Sequence, residues 1–453
     1  MISSGDQPRK HAIVIGGSIA GLLAARVLSD HYAEVTLFDR DAFPSQPVQR
    51  RGVPQGRHAH GLLASGSDTL ERLFPGLTVA LTECGALSGD LAQDCRWFLA
   101  GACFARAASG MRGLLLSRPL LESVVRLRVG ALPNVQIHEQ ALVESLVANG
   151  QRSRVTGVVV GGREFLADLV VDATGRASRS PQWLQNIGYQ APVEDIVHVA
   201  LSYTTRLFER RQQDLAGDVA AVIPATPSGK RGGVMLAQER NQWTVTLIAH
   251  FGKSAPEELP GFVEYARTLP APYIYDVIRN AAPLGEAATA RISASVRRRY
   301  ERLKRFPAGY LVTGDAICSF NPVYGQGMSV AALEAVELQN ALATNPVSPA
   351  RDFFRRAARV VDTPWQIAVG NDLRMPETVG KRTLRGRIAN FYVSRVHQAA
   401  HRDPAVGIGF LQVSNLLAAP GSLIRPRIWH RVLRSSLSRR DSKTAVIHVV
   451  GHS

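Results

Sequence analysis

The residues best suited to do chemistry in this sequence lie in a glycine-rich turn near its beginning. Gly16, Ser18 and Gly21 follow an apolar run at residues 12–15, and Asp39 ends the next apolar run. Backbone amides at the start of a helix can hold a pyrophosphate, and an acid about twenty residues further on can accept hydrogen bonds from ribose hydroxyls. The spacing therefore predicts a dinucleotide site in a strand–helix–strand unit.

One position departs from the usual glycine pattern of such turns. The middle glycine is replaced by Ser18, and the neighbouring Gly17 can relieve the crowding. Gly16 permits the tight turn, and Gly21 lets the helix pack close to the strand. A turn that serves packing alone is the alternative. The strand, helix and acid in register favour the dinucleotide site.

Two later segments extend the pattern. Residues 165–176, FLADLVVDATGR, predict one apolar strand that ends at Asp172. Residues 310–329 predict a strand that ends in Gly314-Asp315 and leads to a second glycine-rich turn. In this order and spacing, the three segments resemble the single-component flavin monooxygenases of the para-hydroxybenzoate hydroxylase fold.

The resemblance implies an α/β fold. A Rossmann-like FAD-binding domain is expected to carry an inserted antiparallel-sheet substrate domain and a helical C-terminal region. The expected bounds are 1–80, 107–189 and 286–345 for the discontinuous FAD-binding domain, 81–106 and 190–285 for the substrate domain, and 346–453 for the basic C-terminal region. Alternating strands separated by turn residues mark the substrate domain, and residues 81–106 are expected to add a hairpin with Trp97 and Phe98. In the FAD-binding domain, Ser117 and Pro119 predict the capped start of a helix over 117–131. Prolines, including Pro364, are expected to break the last region into short helices.

The resemblance also implies which residues bind FAD, non-covalently. They are Gly16, Ser18, Gly21, Asp39, Arg40, Arg57, His58, Arg118, Asp172, Gly314, Asp315, Pro322, Gly325, Gln326, Gly327 and Met328. Asp315, just after its strand, can bond the ribityl hydroxyls, and amides of a turn that opens a helix can stabilise the negative charge of reduced flavin. Because the flavin carries the chemistry, no catalytic side chain is assigned. Pro322, Gly325 and Gly327 are expected at the flavin edge.

The resemblance implies a reaction as well. In that family, reduced flavin and O2 give a C4a-hydroperoxide that transfers one oxygen atom to the substrate. NAD(P)H or a partner flavin reductase is expected to supply the electrons. Thr174-Gly175 stands where many of these hydroxylases carry Asp-Gly, so the choice between the two electron sources stays open.

A closer resemblance is to the bacterial flavin epoxidases that act on polyene precursors of polyether antibiotics. It rests on GGSIAGLLAARVL, RRGVPQGRHAHGLL, DATGR, GDAICSFNPVYGQGMS and DTPWQIAVGNDLRMPETVG. The strands of the expected substrate sheet offer mainly apolar and hydroxyl side chains, and an alkene needs no general base. We therefore predict epoxidation of an apolar polyketide or isoprenoid chain. Tyr203, Met235 and Thr246 are candidate contacts, subject to strand register.

Other functions stay open at this point. Hydroxylation of an aromatic or polyketide ring is the nearest alternative, followed by reduction of an isoprenoid double bond and by flavin binding without turnover. A flavin halogenase is disfavoured. The sequence has no Trp-x-Trp-x-x-Pro segment, and Lys10 is the only lysine before Lys230.

Composition limits the remaining classes. At 453 residues the chain can form two or three domains with full cores. No apolar run approaches the roughly 20 residues of a membrane span, and the first ten residues lack the apolar core of a signal peptide. The four cysteines have no metal-ligand spacing and predict reduced thiols in a cytoplasmic protein. No metal site is expected, because His58 and His60 have no carboxylate at ligand spacing.

The net charge of +16 is unevenly distributed. Residues 351–453 hold 18 Lys and Arg against 6 Asp and Glu. A solvated arginine-rich face is the favoured explanation. The alternative is docking of a carrier-bound or membrane-held substrate, with the basic amphipathic segment 425–440 peripheral at the membrane. No nucleic-acid-binding motif is present, so nucleic acid is not expected as a partner, and the oligomeric state is not indicated.

Overall fold

A computed structural model of the chain describes residues 9–435. Its strands are β1 (Arg9–Ile15), β2 (Tyr32–Phe38), β3 (Leu87–Asp90), β4 (Cys95–Leu99), β5 (Ala102–Cys103), β6 (Arg112–Leu115), β7 (Val135–His138), β8 (Val143–Ala148), β9 (Val155–Val160), β10 (Arg163–Leu166), β11 (Leu169–Asp172), β12 (Glu194–Glu209), β13 (Ala220–Ile223), β14 (Arg231–Gln238), β15 (Gln242–His250), β16 (Pro283–Arg298), β17 (Tyr310–Val312) and β18 (Cys318–Ser319). Its α-helices are α1 (Ile19–Ser29), α2 (Ala64–Leu73), α3 (Leu77–Glu83), α4 (Arg118–Gly130), α5 (Ser180–Asn186), α6 (Leu259–Arg267), α7 (Tyr273–Ile278), α8 (Gly327–Thr344), α9 (Ala350–Asp372), α10 (Leu384–Ala400) and α11 (Pro404–Ser414). Residues 426–435 are also helical.

The described chain divides into two compact units. The first unit takes residues 9–86, 116–197 and 294–368, and the second takes 87–115, 198–293 and the described residues from 369 onward. The contacts thus divide the predicted C-terminal region, 346–453, between the units at Ala368. Residues 1–8 and 436–453, which the predicted bounds include, lie outside the described part of the chain.

The first unit is built on a five-stranded parallel sheet in the order β17-β11-β1-β2-β7. Ala12, Ile13 and Val14 in β1 are completely buried, as expected for a strand covered on both faces. Helix α1 follows β1 and buries Leu22 and Leu23. The strand–helix–strand unit predicted from the glycine-rich turn is therefore confirmed.

One predicted strand is wrong. Residues 165–171 belong to two strands, because β10 ends at Leu166 and β11 begins at Leu169. Strand β10 pairs antiparallel with β9, whereas β11 pairs in parallel with β1. Asp168 lies between them and accepts hydrogen bonds from the amides of Lys10 at 2.9 Å and His11 at 3.2 Å. This carboxylate secures the change of direction, so the apolar run cannot continue as one strand.

The second unit contains the predicted antiparallel sheet. Strands β12, β15, β14 and β13 pair antiparallel in that order, and β4 joins β13 in parallel. The predicted hairpin around Trp97 and Phe98 is also present, because β4 pairs antiparallel with β5. Helices α6 and α7 add Phe262 and Ile274 to a core that includes Trp243.

A second prediction about the backbone is wrong. Pro364 does not break its helix, because α9 runs through it for 23 residues. Proline removes one helical N–H and its hydrogen bond. The helix buries Phe353, Val361 and Trp365 around this position, so packing offsets the missing bond. Pro404 behaves as proline usually does and opens α11.

The basic segment 425–440 is only partly described. Of its predicted apolar face, Val432 is buried, while Leu433 is 41% exposed. Ile428 lies against Gly409 of α11. Arg439, with the rest of the segment after residue 435, lies outside the described residues. Within residues 9–435, no helix has both the length and the apolar character needed to cross a bilayer.

Candidate cofactor site

The first glycine-rich turn is shaped by two close approaches. Gly16 has φ +99°, in the left-handed region, and its amide donates to the Phe38 carbonyl at 2.8 Å. A Cβ atom on Gly21 would lie 1.7 Å from the Gly16 carbonyl oxygen. Only glycine fits at position 21, because real Cβ contacts are never this short. The turn therefore brings the start of α1 directly against the end of β1.

Ser18 connects this turn to α4. Its hydroxyl donates to Glu122 Oε1 at 2.6 Å and accepts from Arg118 Nη2 at 2.9 Å. Arg118 Nε also donates to Glu122 Oε1 at 2.9 Å. Burial alone would raise the pKa of Glu122, but the charges of Arg118 and Arg50 hold it below its usual value. The serine that departs from the glycine pattern is thus part of a polar network.

Arg50 lies at the centre of an acidic cluster beside the turn. Its Nη1 is 3.4 Å from Asp39 Oδ2 and 3.2 Å from Asp41 Oδ2, and its side chain is 8% exposed. Its Nη2 donates to the Gly17 carbonyl at 3.0 Å. Asp39 Oδ2 also accepts from the Gly17 amide at 2.6 Å. Asp39 is therefore held at the turn, where the sequence placed the ribose acceptor.

A surface pocket opens beside this cluster. It is lined by Pro44, Gln46, Val48, Gln49, Arg50, Val53, Gly56, Arg118, Pro119, Glu122 and Arg126. The guanidinium carbons of Arg126 and Arg50 lie 4.8 Å and 5.2 Å from the centre of the Phe43 ring. Three arginines along one pocket make it suited to a phosphate-bearing ligand.

The other predicted residues near the first glycine-rich turn lie outside the Arg50 cluster. Arg40 and Arg57 are exposed. Burial and the charge of Arg57 lower the pKa of His58 to about 4, and burial and the charge of Arg118 lower that of His60 to about 3. Both imidazoles are therefore neutral at pH 7. Among the described residues, no group of three or more metal-ligating side chains could hold an ion.

The second half of the site is the loop after β17. Gly314 has φ +69°, and its amide donates to Glu334 Oε2 at 2.6 Å. Thr313 Oγ1 donates to the same oxygen at 2.9 Å. Burial raises the pKa of Asp315, and the charges of Arg118 and Arg176 oppose this rise. Asp315 thus belongs to the same part of the first unit as Arg118.

Asp172, a predicted FAD contact, is fully occupied by its own loop. Its Oδ1 accepts from the Thr174 amide at 2.8 Å and the Thr174 hydroxyl at 2.6 Å. Its Oδ2 accepts from the hydroxyls of Ser178, at 2.6 Å, and Ser180. This carboxylate is completely buried. Its visible role is to fix the loop that follows β11.

The second glycine-rich turn leads into α8. Pro322 opens a short 3-10 helix, which ends at Gly325 with φ +64°. A Cβ atom on Gly325 would meet the backbone of Gly61 at 3.5 Å, and one on Gly327 would lie 3.5 Å from Asp315 Oδ1. The turn therefore gathers the loop at residues 50–63 and the Gly314-Asp315 loop. Met328, in the first turn of α8, is 7% exposed.

Two helix starts at this site lack a side-chain cap, as do the starts of α2, α3, α5, α6 and α7. Helices α1 and α8 have no side-chain cap and no acidic residue in their first turns. Helices α4, α10 and α11 are instead capped by Ser117, Thr383 and Asp403. Gln326, before α8, is 2% exposed, and its Oε1 has no partner among the described residues. The first amides of α1 and of α8 can therefore bind one ligand that carries negative charge in two separate positions, one at each helix start.

Comparison with known proteins identifies that ligand. Residues 9–346 match the family model described as the FAD binding domain. The chain belongs to the FAD-binding domain family. The dinucleotide for which the turn, Asp39 and the two helix starts are suited is therefore FAD, and the α/β fold is that of flavoproteins related to para-hydroxybenzoate hydroxylase.

Individual proteins extend this comparison. The chain is 36% identical to Protein Rv3254 of Mycobacterium tuberculosis over 433 residues, which cover 90% of each chain. Among solved structures, PqsL, a probable FAD-dependent monooxygenase from Pseudomonas aeruginosa, has a TM-score of 0.61 at 16% identity and covers 81% of this chain and 98% of its own. The flavin-dependent brominase Bmp2 has a TM-score of 0.63 at 14% identity, with 96% and 100% covered. At these identities the two structures share the fold with this chain.

The candidate substrate residues lie in the second unit, on two faces of one sheet. Thr205 pairs with Thr246 across β12 and β15, and their hydroxyls are 2.7 Å apart. Tyr203 lies two residues from Thr205 and shares this face. Met235 pairs with Val245, on the opposite face, and packs in the core below α6 and α7. The three side chains therefore cannot line one surface of the sheet.

Sequence reasoning missed three residues of the candidate site. Arg50, Glu122 and Glu334 organise the two halves of the site, yet none belongs to the glycine patterns. One signal was available, because Glu122 follows Arg118 by four residues on a predicted helix, a spacing at which side chains meet. Arg50 opens the segment RRGVPQGRHAHGLL, but its contacts with Asp39, Asp41 and Glu122 are not contained in that segment. Glu334 acts on a loop twenty residues earlier, which no local pattern indicates.

Proposed function

We propose that this protein is a flavin-dependent monooxygenase that inserts one oxygen atom from O2 into an apolar unsaturated substrate, giving an epoxide. The observation that carries the proposal is the pair of uncapped helix starts, at α1 and α8, in a chain of the FAD-binding domain family. When bound, FAD supplies the redox chemistry that activates O2. The second oxygen atom leaves as water, with two electrons taken from NAD(P)H directly or through a partner reductase.

The residues of the first unit hold FAD in this proposal. The first amides of α1 bind the pyrophosphate, and Asp39 accepts from the ribose hydroxyls. Asp315 bonds the ribityl chain from the loop that Glu334 fixes. The amides of residues 326–328 would stabilise negative charge at the edge of the reduced ring, because the Gly325 amide already donates to the Pro322 carbonyl at 2.9 Å. Arg50 and Arg118 balance the phosphate charges from the pocket beside α4.

The substrate surface in this proposal is the sheet face that bears Tyr203, Thr205 and Thr246. The other side chains on this face, from β12, β14 and β15, include Leu201, Leu207, Val234, Leu236, Thr244 and Ile248. The carboxylate that the alternation of β12 places on this face is Glu209, at the exposed end of the strand. His250 follows on the same face, and burial lowers its pKa to about 4, which makes it a weak base. A surface of apolar and hydroxyl groups supports oxygen transfer to an alkene, which needs no general base.

Ring hydroxylation is the second candidate. The same face supports it to the extent that Tyr203 and Thr246 can bond a phenol or carbonyl group of an aromatic substrate. Hydroxylation of a phenol gains from a base that removes its proton, and His250 is the candidate for that role on this face. The two reactions are therefore distinguished by their products and by the contribution of His250.

The experiment is a labelled-oxygen assay of the purified protein. The bound flavin is released by denaturation and identified by mass spectrometry, which is expected to give FAD. The protein is then supplied with NADPH, with and without a general flavin reductase, under 18O2. A linear polyene and an aromatic polyketide are offered separately. The expected result is one labelled oxygen atom in the polyene, in an epoxide ring that opens to a diol in acid.

Three outcomes would count against the proposal. Label that appears only in the aromatic compound, and is lost in His250→Ala, would favour ring hydroxylation. Reduction of the polyene without incorporated oxygen would favour a reductase. Bound FAD that is reduced and reoxidised while both compounds remain unchanged would contradict both monooxygenase candidates.

A further inference from the structure

The first two turns of α10, in the second unit, carry an exposed apolar stripe. Leu384 is 72% exposed, Ile388 is 61% exposed and Phe391 is 62% exposed. Positions separated by four and three residues lie on one face of a helix. Seven steps of about 1.5 Å separate Leu384 from Phe391, so this stripe is roughly 10 Å long. Large apolar side chains in such a contiguous row usually mark a contact surface.

The helix is held from its other sides. Thr383 caps its start by accepting from the Gly386 amide at 3.0 Å. Asn390 Nδ2 donates to the Gly370 carbonyl at 2.8 Å, and the Tyr392 hydroxyl donates to the Leu423 carbonyl at 2.7 Å. Val396, His397, Ala399 and Ala400, in the second half of the helix, are buried. The stripe is thus presented to solvent by a helix that is fixed to its own unit.

The segment that carries the stripe has only basic charged residues between Glu377 and Asp403. Residues 378–402 contain six Lys and Arg and no Asp or Glu. Arg385 and Arg387 are exposed and lie on opposite sides of the stripe, since each residue turns about 100° around a helix. Within residues 9–435, neither forms an ion pair. The Arg395 guanidinium lies 5.1 Å from the centre of the Phe391 ring.

We propose that this stripe, formed by Leu384, Ile388 and Phe391 with Arg385 and Arg387 beside it, docks α10 on an anionic lipid bilayer. A helix with an apolar face between basic side chains lies in the bilayer interface, where its apolar groups enter the acyl boundary and its cations meet lipid phosphates. The arginines complement this surface in charge. The inference concerns where the protein acts and is independent of the oxygenation reaction.

Two other occupants fit the charge less well. In a twofold contact between copies of this chain, the same basic patch would face itself. Residues 436–453 carry Arg439, Arg440 and Lys443 against Asp441, so their charge is also positive. Both arrangements bring like charges together, which an anionic bilayer does not.

Sedimentation with vesicles tests the proposal. The FAD-loaded protein is mixed with vesicles of phosphatidylcholine and phosphatidylglycerol at 3:1, or of phosphatidylcholine alone, at 50 mM and 500 mM NaCl. Binding is expected to the anionic vesicles at low salt and to weaken at high salt. Leu384→Ser/Ile388→Ser/Phe391→Ser and Arg385→Glu/Arg387→Glu are each expected to weaken binding about tenfold or more.

Matched variants separate this face from general surface effects. Leu127, Leu166 and Val347, in the first unit, are 69%, 63% and 75% exposed. The variant Leu127→Ser/Leu166→Ser/Val347→Ser therefore removes three apolar side chains of similar exposure away from α10. Arg152→Glu/Arg163→Glu repeats the charge reversal on an exposed hairpin. Both controls are expected to bind like the parent protein. Thermal unfolding and flavin absorbance check that every variant is folded and loaded.

Each contrary result overturns the proposal. Lack of binding to anionic vesicles by the parent protein would do so. Binding that survives both α10 variants would assign it to another basic surface. Dimers that dissociate in the serine variant, seen by sedimentation velocity without vesicle binding, would make the face a contact between copies. If the protein binds anionic vesicles only after residues 436–453 are removed, that segment would be the occupant of the stripe in the full chain.

Discussion

The Gly314 amide donates a 2.6 Å hydrogen bond to Glu334 Oε2, so a carboxyl buried in α8 holds the loop that carries Asp315. Thr313 donates to the same oxygen, while Oε1 has no partner among the described residues. Burial raises the pKa of Glu334 to about 7, against the effect of these two bonds. A site built for a phosphate-bearing cofactor thus contains an acid that is partly protonated at neutral pH.

This acid predicts a pH dependence of stability. Between the ordinary pKa of 4.5 and about 7, folded Glu334 keeps a proton that the unfolded chain has released. Its contribution to stability therefore falls as pH rises through this window. Glu334→Gln keeps an oxygen that accepts the two hydrogen bonds and removes the titrating group. The fall in unfolding free energy between pH 5 and 8 should therefore be about 1–3 kcal/mol smaller in this variant than in the parent protein. Denaturant titrations from pH 5 to 8 measure it, with Glu337→Gln, one turn further on α8, as the control. An unchanged slope in Glu334→Gln would contradict the assignment.

Asp39 is expected to contribute to the affinity for FAD. Asp39→Ala removes the predicted ribose acceptor and should weaken FAD binding by about 1–3 kcal/mol, the scale of a lost charge-assisted hydrogen bond. Flavin fluorescence during titration of the stripped protein measures the dissociation constant. Asp30→Ala is the control. Asp30 follows the last residue of α1, at the end opposite the glycine-rich turn, and forms an ion pair with Arg26. Equal affinities in the two variants, or FMN as the extracted flavin, would show that the ribose assignment is wrong.

A side chain at Gly325, in the second glycine-rich turn, is expected to disturb the flavin site by more than backbone strain alone would. Gly325→Val places a branched side chain at φ +64°, beside Gly61, and should abolish flavin binding or oxygenation while the protein still folds. Gly162→Val is the matched control. Its φ is +72° and nothing lies within 4 Å, so it has the same strain of about 1–2 kcal/mol far from the turn. Flavin absorbance and circular dichroism report the two properties. Similar flavin loss in both variants would leave only strain as the cause.

Opposite faces of the substrate sheet predict opposite effects. Thr246→Val removes a hydroxyl that bonds Thr205 and should raise KM for the substrate, with an unfolding free energy within about 1 kcal/mol of the parent value. Met235→Ala should instead destabilise the protein by about 2–5 kcal/mol and leave KM unchanged in the folded fraction, because Met235 is completely buried in the core. Steady-state kinetics and denaturation together separate these results. A KM effect of Met235→Ala without loss of stability would reverse the two faces.

The elements with local signals were predictable from sequence. The glycine-rich turn, Ser117 as the cap of α4 and the β4–β5 hairpin depend on neighbouring residues, and the structure contains all three. FAD itself could be predicted, because the two turns and Asp39 recur in a fixed order. The assignments of individual FAD and substrate contacts remain predictions.

The rest depended on contacts between distant residues. The break at Asp168 is set by backbone amides more than 150 residues away, and the continuity of α9 through Pro364 by packing around it. The face to which Met235 points is a matter of register, since a shift of one residue would reverse it. Arg50 meets its three carboxylates only after residues 39–122 have folded together. No pattern within one segment contains this information.

The uncapped starts of α1 and α8 have a consequence for how the protein becomes complete. Helices α4, α10 and α11 satisfy a first amide with a side chain of their own sequence, as α4 does with Ser117. In the proposed mode of FAD binding, the cofactor takes that part at the starts of α1 and α8 and accepts hydrogen bonds from their first amides. Under that proposal FAD supply is a maturation step, and the FAD-free protein is expected to be less stable and more open to proteolysis than the loaded protein.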